Sequence, residues 1–222
     1  MSNLRAAIEQ FKRLAEEART SGQMKPMNGE QPKSLNFEYY GIGKRYQGVT
    51  LGALEFEGAE YAPVVAFAEN IKQRLENGLG LILKGPVGTG KTCAAIAIMR
   101  VAIDNKYSAF FISMMSLLDK LMTLRDKEEA YEFEQRLRTT KLLVLDDLGG
   151  EYRSKNDFTG SKLMSIIGER YERQLSTIIT TNLTIEQLKA EYDERMIDRL
   201  RSTNQLVTLG GESLRRAEWR EI

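Results

Sequence analysis

Histidine is absent from the 222 residues, and cysteine occurs once, as Cys93. Without imidazole, Ser-His-Asp and Cys-His catalysis are excluded. So are the zinc sites built from mixed Cys and His. A lone cysteine also excludes an intrachain disulfide. Phosphoryl chemistry run by Lys, Arg, carboxylates and Mg²⁺ stays open, because it needs no imidazole. The chain has almost no excess charge: 32 Lys+Arg stand against 31 Asp+Glu. Any contact with nucleic acid must therefore come from a local patch. No apolar run is long enough to span a bilayer. The first nineteen residues carry charges every few positions instead of a signal-peptide apolar segment. The expected location is cytoplasmic.

What is present is ordinary globular composition, 42% hydrophobic and 28% charged, which excludes a mostly disordered chain. Leu4, Ile8, Phe11, Leu14 and Ala18 recur at helical spacing, so residues 1–19 read as one amphipathic helix. Residues 20–36 hold Pro26 and Pro32, two of only four prolines, with Gly22 and Gly29. They read as a linker. From Phe37 to Ile222 strands and helices alternate. Strands are expected over 79–83, 109–113, 142–145, 177–181 and 206–209. Helices are expected over 92–103, 117–125, 128–138, 162–174, 185–192 and 194–201. That alternation implies an α/β domain, a parallel five-stranded sheet with helices on both faces.

The run Gly85-Pro86-Val87-Gly88-Thr89-Gly90-Lys91-Thr92 fits the phosphate-binding pattern G-x-x-x-x-G-K-[ST], between a strand and a helix. Its backbone N–H groups would cradle phosphates. Lys91 would reach the β- and γ-phosphates, and the Thr92 hydroxyl would meet Mg²⁺ at the helix N-terminus. Cys93 follows in the first helical turn, within the nucleotide-binding stretch but with no chemistry of its own. Leu142-Leu143-Val144-Leu145-Asp146-Asp147 is an apolar strand ending in two carboxylates. Asp146 is assigned to the metal and Asp147 to the attacking water. The two motifs meet if their strands are neighbours in the sheet, since parallel neighbours end together. Asn182, after the strand that ends Thr180-Thr181, would lie beside the phosphates and position water. Arg195 and Arg199 share one helix face. They either pair with Glu194 and Asp198 on the surface, or Arg199 reaches the γ-phosphate of a neighbouring subunit.

These pieces in this order resemble the AAA+ ATPases. They are most similar to the bacterial replicative helicase-loader family of DnaC and DnaI, with the IstB-like transposition ATPases close by. The likeness covers roughly residues 46–220. Tyr46–Leu51 looks like the family's segment near the adenine. Gly88–Thr92 and Asp146–Gly149 match its phosphate loop and Walker B. Arg170-Tyr171-Glu172 with Thr180-Thr181-Asn182 matches its sensor 1 region. Glu194–Leu200 resembles the arginine-finger box, with Arg199 at the finger. Gly211–Arg215 resembles the C-terminal sensor 2 element, with Arg215 on the nucleotide. Three positions depart from the pattern: Cys93-Ala94 replaces His-Leu, Asp147 replaces the commoner Glu, and Leu214 replaces an aromatic residue.

The resemblance implies an ATPase using ATP and Mg²⁺, slow because Asp147 has a shorter reach than Glu, and completed by Arg199 of a neighbouring subunit. It implies an ATP-dependent oligomer or spiral on single-stranded DNA, with Arg153, Ser154 and Lys155 facing the DNA. The implied role is delivery of the replicative hexameric helicase at the initiation of DNA replication. The apolar stripe Leu4, Ile8, Phe11 and Leu14 on its tether marks the N-terminal helix either as the partner handle or as a helix folded back onto the ATPase domain. Two alternatives share the site. One is a transposition helper that binds duplex DNA and recruits a transposase. The other is a nucleotide-dependent assembly switch with little hydrolysis.

Overall fold

The computed structural model describes residues 36–52, 59–150, 157–211, 213 and 214. The helix expected over 1–19, the linker up to residue 35, the Arg153–Lys155 patch and Arg215 lie outside the described residues. The chain divides into two units, Met1–Asn36 and Phe37–Ile222, and every element named below belongs to the second.

Helices α1 (Ala62–Glu69) and α2 (Ile71–Glu76) lead into β1 (Gly80–Lys84). Then come α3 (Lys91–Asp104), β2 (Ala109–Ser113), α4 (Met114–Thr123), α5 (Lys127–Thr139), β3 (Leu142–Leu148), α6 (Asp157–Glu172) and β4 (Ser176–Thr181). Helices α7 (Ile185–Glu191) and α8 (Glu194–Thr203) and strand β5 (Asn204–Thr208) complete the order. The five strands form one sheet in the order β2-β3-β4-β1-β5, with every pairing parallel. This is the architecture that the strand-helix alternation implies. One detail is corrected: β1 and β3 are not neighbours, because β4 lies between them. Their carboxyl ends still meet at one edge, since all five strands run the same way.

Strand residues are buried on both faces. Ile82, Phe110, Ile112, Leu143, Leu145 and Ile179 join one core with Leu117, Leu137, Ile166 and Leu200 from the helices. The alternate residues Leu81, Leu83, Phe111, Val144 and Ile178 are buried as well, which is the signature of a sheet covered on both sides. On α3, Ala94, Ala95, Ala97 and Ala102 are fully buried. Small side chains let that helix approach the sheet closely.

Helices α1 and α2 are not among the expected elements. Their buried stripe, Val64, Phe67, Ala68, Ile71 and Leu75, has helical spacing. It is split at Asn70 into two short pieces, and Pro63 sits in the first turn, where its missing N–H costs nothing. Helix α4 starts three residues before the expected Leu117, because Ser113 Oγ caps it by accepting from Ser116 N at 3.2 Å.

The open edge of β2 is partly covered by the segment preceding α1. Phe111 N donates to Tyr40 O at 2.9 Å. The Arg136 guanidinium lies between the rings of Tyr39 and Phe110, at 4.4 and 4.0 Å from their centroids. Arg100 Nη1 donates to Gln47 O at 2.6 Å.

Arg170 of α6 ties the opposite end of the sheet. Its Nε donates to Thr177 Oγ1 at 2.9 Å. Nη1 donates to the carbonyls of Leu137 and Thr140, both at 2.8 Å, and Nη2 to Ser176 O at 2.5 Å. Burial pushes this guanidinium down to about 9, so it keeps its charge at neutral pH. One side chain thus holds the end of α5 and the start of β4 against α6.

Candidate nucleotide site

The loop after β1 is shaped by glycines in left-handed backbone. Gly88 and Gly90 have φ of +90° and +76°, values open to glycine but strained for other residues. Thr89 between them is buried. Its Oγ1 donates to Pro86 O at 2.9 Å, and its carbonyl accepts from Tyr61 Oη at 2.8 Å. Burial, with smaller contributions from Glu60 and Cys93, pushes the Tyr61 phenol up, so it remains a donor to the loop. Lys91 opens α3 with its ammonium inside the loop, donating to the carbonyls of Gly85 at 2.8 Å and Pro86 at 2.7 Å. The cation expected to meet phosphates is therefore where the turn concentrates backbone groups. Cys93, in the first turn of α3, is half-buried and in no disulfide.

The carboxylates come from β3. Its pairing with β4 runs Leu145↔Ile179 and then Leu148↔Thr181, so one extra residue bulges at Asp146-Asp147. Asp147 takes the strain, with φ of +61°. Aspartate tolerates the left-handed region better than most residues. The bulge separates the two acids. Asp146 is half-buried and its Oδ1 accepts from Thr92 Oγ1 at 2.9 Å, across 54 residues of sequence. Asp147 is exposed, and its Oδ1 accepts from Asn182 Nδ2 at 3.2 Å.

Thr180 of β4 fastens this arrangement. Its hydroxyl donates to Asp146 Oδ1 at 2.7 Å and accepts from Asp147 N at 2.9 Å. Burial pushes the Asp146 carboxyl above its ordinary range. The Thr180 and Thr92 hydroxyls pull it back, Asp147 pushes it up and Lys91 pulls it down. A half-buried carboxylate beside a hydroxyl oxygen is a hard-oxygen pair, and it fits Mg²⁺. Thr92 and Asp146 are the residues that would hold it.

The structure thus brings Gly85–Thr92, Asp146, Asp147 and Asn182 to one edge of the sheet. Arg199 does not join them. It lines a separate cavity of about 550 Å³ between α6 and α8, with Met164, Glu169, Glu172, Arg173 and Arg195. The expected surface pairing of Arg195 is also corrected. Arg195 Nε meets Asp193 Oδ1 at 3.2 Å, because Asp193 caps α8 and holds its carboxylate over the first turn.

Two contributions escape the sequence reading. Thr180 is read there only as part of the sensor 1 match, and its two hydrogen bonds to the aspartates follow from its place on β4 beside the bulge. Tyr61 is 28 positions from its loop partner, and no local pattern announces it. The segment after β5 also closes on the loop. Leu214 N donates to Gly88 O at 3.0 Å, and Ser213 fills the space a Cβ at Gly88 would need. The segment after β5 thus reaches the loop through residues 213 and 214.

Residues 66–221 match the family model of IstB-like ATP binding proteins. The insertion sequence IS21 putative ATP-binding protein of Pseudomonas aeruginosa is 28% identical over 152 residues, covering 66% of this chain and 56% of that protein. The chain thus spans little more than half the length of that relative. The replicative helicase loader DnaC of Buchnera aphidicola is 28% identical over 167 residues, covering 73% of this chain and 67% of that protein. Among solved structures, the DnaC helicase loader superposes with a TM-score of 0.67 at 27% identity, over 75% of this chain and 99% of that one. With its P-loop, Walker B carboxylates and sheet order in place, the chain belongs to the IstB-like ATP-binding proteins, on the AAA+ P-loop fold that they share with the DnaC and DnaI helicase loaders.

Proposed function

We propose that the chain hydrolyses ATP as a loader of the replicative helicase, assembling on single-stranded DNA with each site completed by Arg199 of a second copy. The observation that carries the ATPase reading is the Thr92–Asp146 hydrogen bond behind the glycine loop. It joins the two halves of a P-loop site across the sheet. Lys91 neutralises phosphate charge, Thr92 and Asp146 hold the metal, and Asp147 orients the attacking water with Asn182 beside it. Bound Mg²⁺ supplies neutralisation of charge on the β- and γ-phosphates. Asp147, shorter than glutamate, makes hydrolysis slow.

Arg199 supports the second-copy reading because it lines a cavity to which neither the loop nor the Walker B carboxylates contribute. ATP between copies would then act as an assembly signal as well as a fuel. The remaining parts of the proposal rest on sequence: the helix of residues 1–19 as partner handle, the tether 20–36, and Arg153, Ser154 and Lys155 as sequence-independent backbone contacts to DNA. Arg215 extends the segment whose Ser213 and Leu214 meet the loop, and it would read the bound nucleotide.

Lys91→Ala tests the site. Nucleotide binding or turnover is lost while the fold survives; unchanged affinity and turnover in a folded variant remove the site assignment. Co-purification with a hexameric helicase in the presence of ATP, and preference for single-stranded DNA, test the loader role. A second reading, an ATPase helper of transposition, is favoured by the IS21-type names among the relatives. It predicts preference for duplex DNA and capture of a transposase instead.

A further inference from the structure

Gly168 lies in the interior of α6, buried, with no positive φ. No turn or left-handed backbone calls for glycine there, and glycine weakens a helix interior relative to alanine. Its reason is spatial. A Cβ at Gly168 would stand 2.5 Å from Arg199 Nη1 and 3.3 Å from Arg199 Cζ. The guanidinium carried by α8 rests on bare backbone of α6. Gly160, the other glycine of α6, has open space around its Cβ position.

The charges around the cavity are mostly engaged. Glu169 accepts from Arg138 at 2.7 Å and from Arg173 at 2.6 Å. Arg195 is bound to Asp193, and its Nη2 sits 3.7 Å from Met164 Sδ. The side chain of Arg199, half-buried, makes no hydrogen bond or ion pair among the described residues, although Glu172 lines the same cavity. Its position is set by shape, which leaves its charge uncommitted.

We propose that Gly168 is a positioning residue for Arg199: the missing side chain seats the guanidinium against α6 without neutralising it, so that it is ready for a phosphate presented by a second copy. The inference rests on the reading of Arg199 as an arginine acting in trans.

The test compares full-length wild type with Gly168→Ala, Gly160→Ala, Arg199→Ala and the double variant Gly168→Ala/Arg199→Ala. Turnover, ATP affinity and melting temperature are measured. So is the rate at which hydroxyphenylglyoxal modifies Arg199, read by peptide mass spectrometry. Gly168→Ala is expected to lower kcat about tenfold with ATP affinity within about twofold, the signature of an interaction made in the transition state. Arg199 should be modified several times faster as the new methyl displaces it. Gly160→Ala, an equal change in helix propensity, should alter neither. On the Arg199→Ala background, Gly168→Ala should have no further effect on turnover.

A folded Gly168→Ala with unchanged kcat and unchanged modification rate overturns the inference and leaves the trans-arginine reading standing. Wild-type turnover in Arg199→Ala overturns that reading, and the modification rate then decides the seat alone. If Gly168→Ala fails to fold, the double variant decides: recovery of folding supports the contact, and continued failure overturns it.

Discussion

At its first residues, Ser176 and Thr177, β4 meets the guanidinium of Arg170; at its last, Thr180 and Thr181, it meets the Walker B strand. At the first end a buried cation makes four bonds to carbonyl and hydroxyl oxygens, and β4 pairs with β3 in unbroken register from Ser176 to Ile179. At the other end the neighbouring strand bulges and Asp147 is held at positive φ. There Asp146 is kept half-buried against its preference for water. The contrast teaches that stability and chemistry are divided along a single strand. Strain concentrates at functional sites where surrounding structure over-determines it, and ligands of open α/β sheets bind at the carboxyl ends of the strands. The two arginines repeat the lesson. Arg170 spends four of its five N–H donors on the fold and is structural. The side chain of Arg199 makes no hydrogen bond or ion pair among the described residues and is available.

Substitutions at the two ends should separate stability from turnover. Arg199→Ala has the largest expected effect on rate, about 10³-fold in turnover with ATP affinity nearly retained; single-turnover kinetics beside a nucleotide titration would show it. Arg170→Met should leave Thr177 Oγ1 and three carbonyls without their donor, at a cost of about 3–5 kcal/mol. For a domain of this size the melting temperature falls by roughly 6–20 °C. Turnover per folded molecule well below the transition should stay near wild type. Loss of turnover per folded molecule in Arg170→Met, without loss of stability, would erase the contrast.

Thr180→Val should do the reverse, lowering turnover about tenfold, as loss of a group that orients a metal ligand commonly does. Calorimetry and turnover on one preparation separate the two cases. The smallest effect is expected for the stability of Asp146→Asn. The folded-state pKa of Asp146 is raised. Its ionised form therefore destabilises the fold above that pKa, and the penalty disappears as pH falls to the unfolded value. The variant should melt higher than wild type at neutral pH, and the gap should close toward acid pH, while turnover is lost.

The sheet and helices α3 to α8 were legible because they rest on periodicity, while the split pair α1 and α2 was not. Runs such as Ala-Phe-Phe-Ile-Ser and Leu-Leu-Val-Leu are bounded by glycines and charges, and α3 and α5 carry long patterns. The P-loop and the two aspartates were legible because their spacing carries mechanism. The neighbour of β1 was not, since strand order is a long-range choice that local patterning does not encode. Neither were the roles of Thr180, Tyr61 and Gly168. Each acts through a partner 28 or more positions away; the sensor 1 match marks Thr180 but not its bonds, and Tyr61 and Gly168 look locally like ordinary turn and helix residues. Arg170 was read with a nucleotide-sensing motif, yet its side chain is spent on the helix end and strand start beneath the site.

The central claim is that one copy supplies the carboxylates and another the arginine. Mixing Arg199→Ala with Asp147→Asn tests it most directly. Each variant alone lacks one half, but where the intact carboxylates of Arg199→Ala meet the intact arginine of Asp147→Asn, a complete site forms. The account predicts turnover in the mixture well above that of either variant alone, rising and falling with the mixing ratio. No recovery, with co-assembly demonstrated by cross-linking of the two variants, would contradict it.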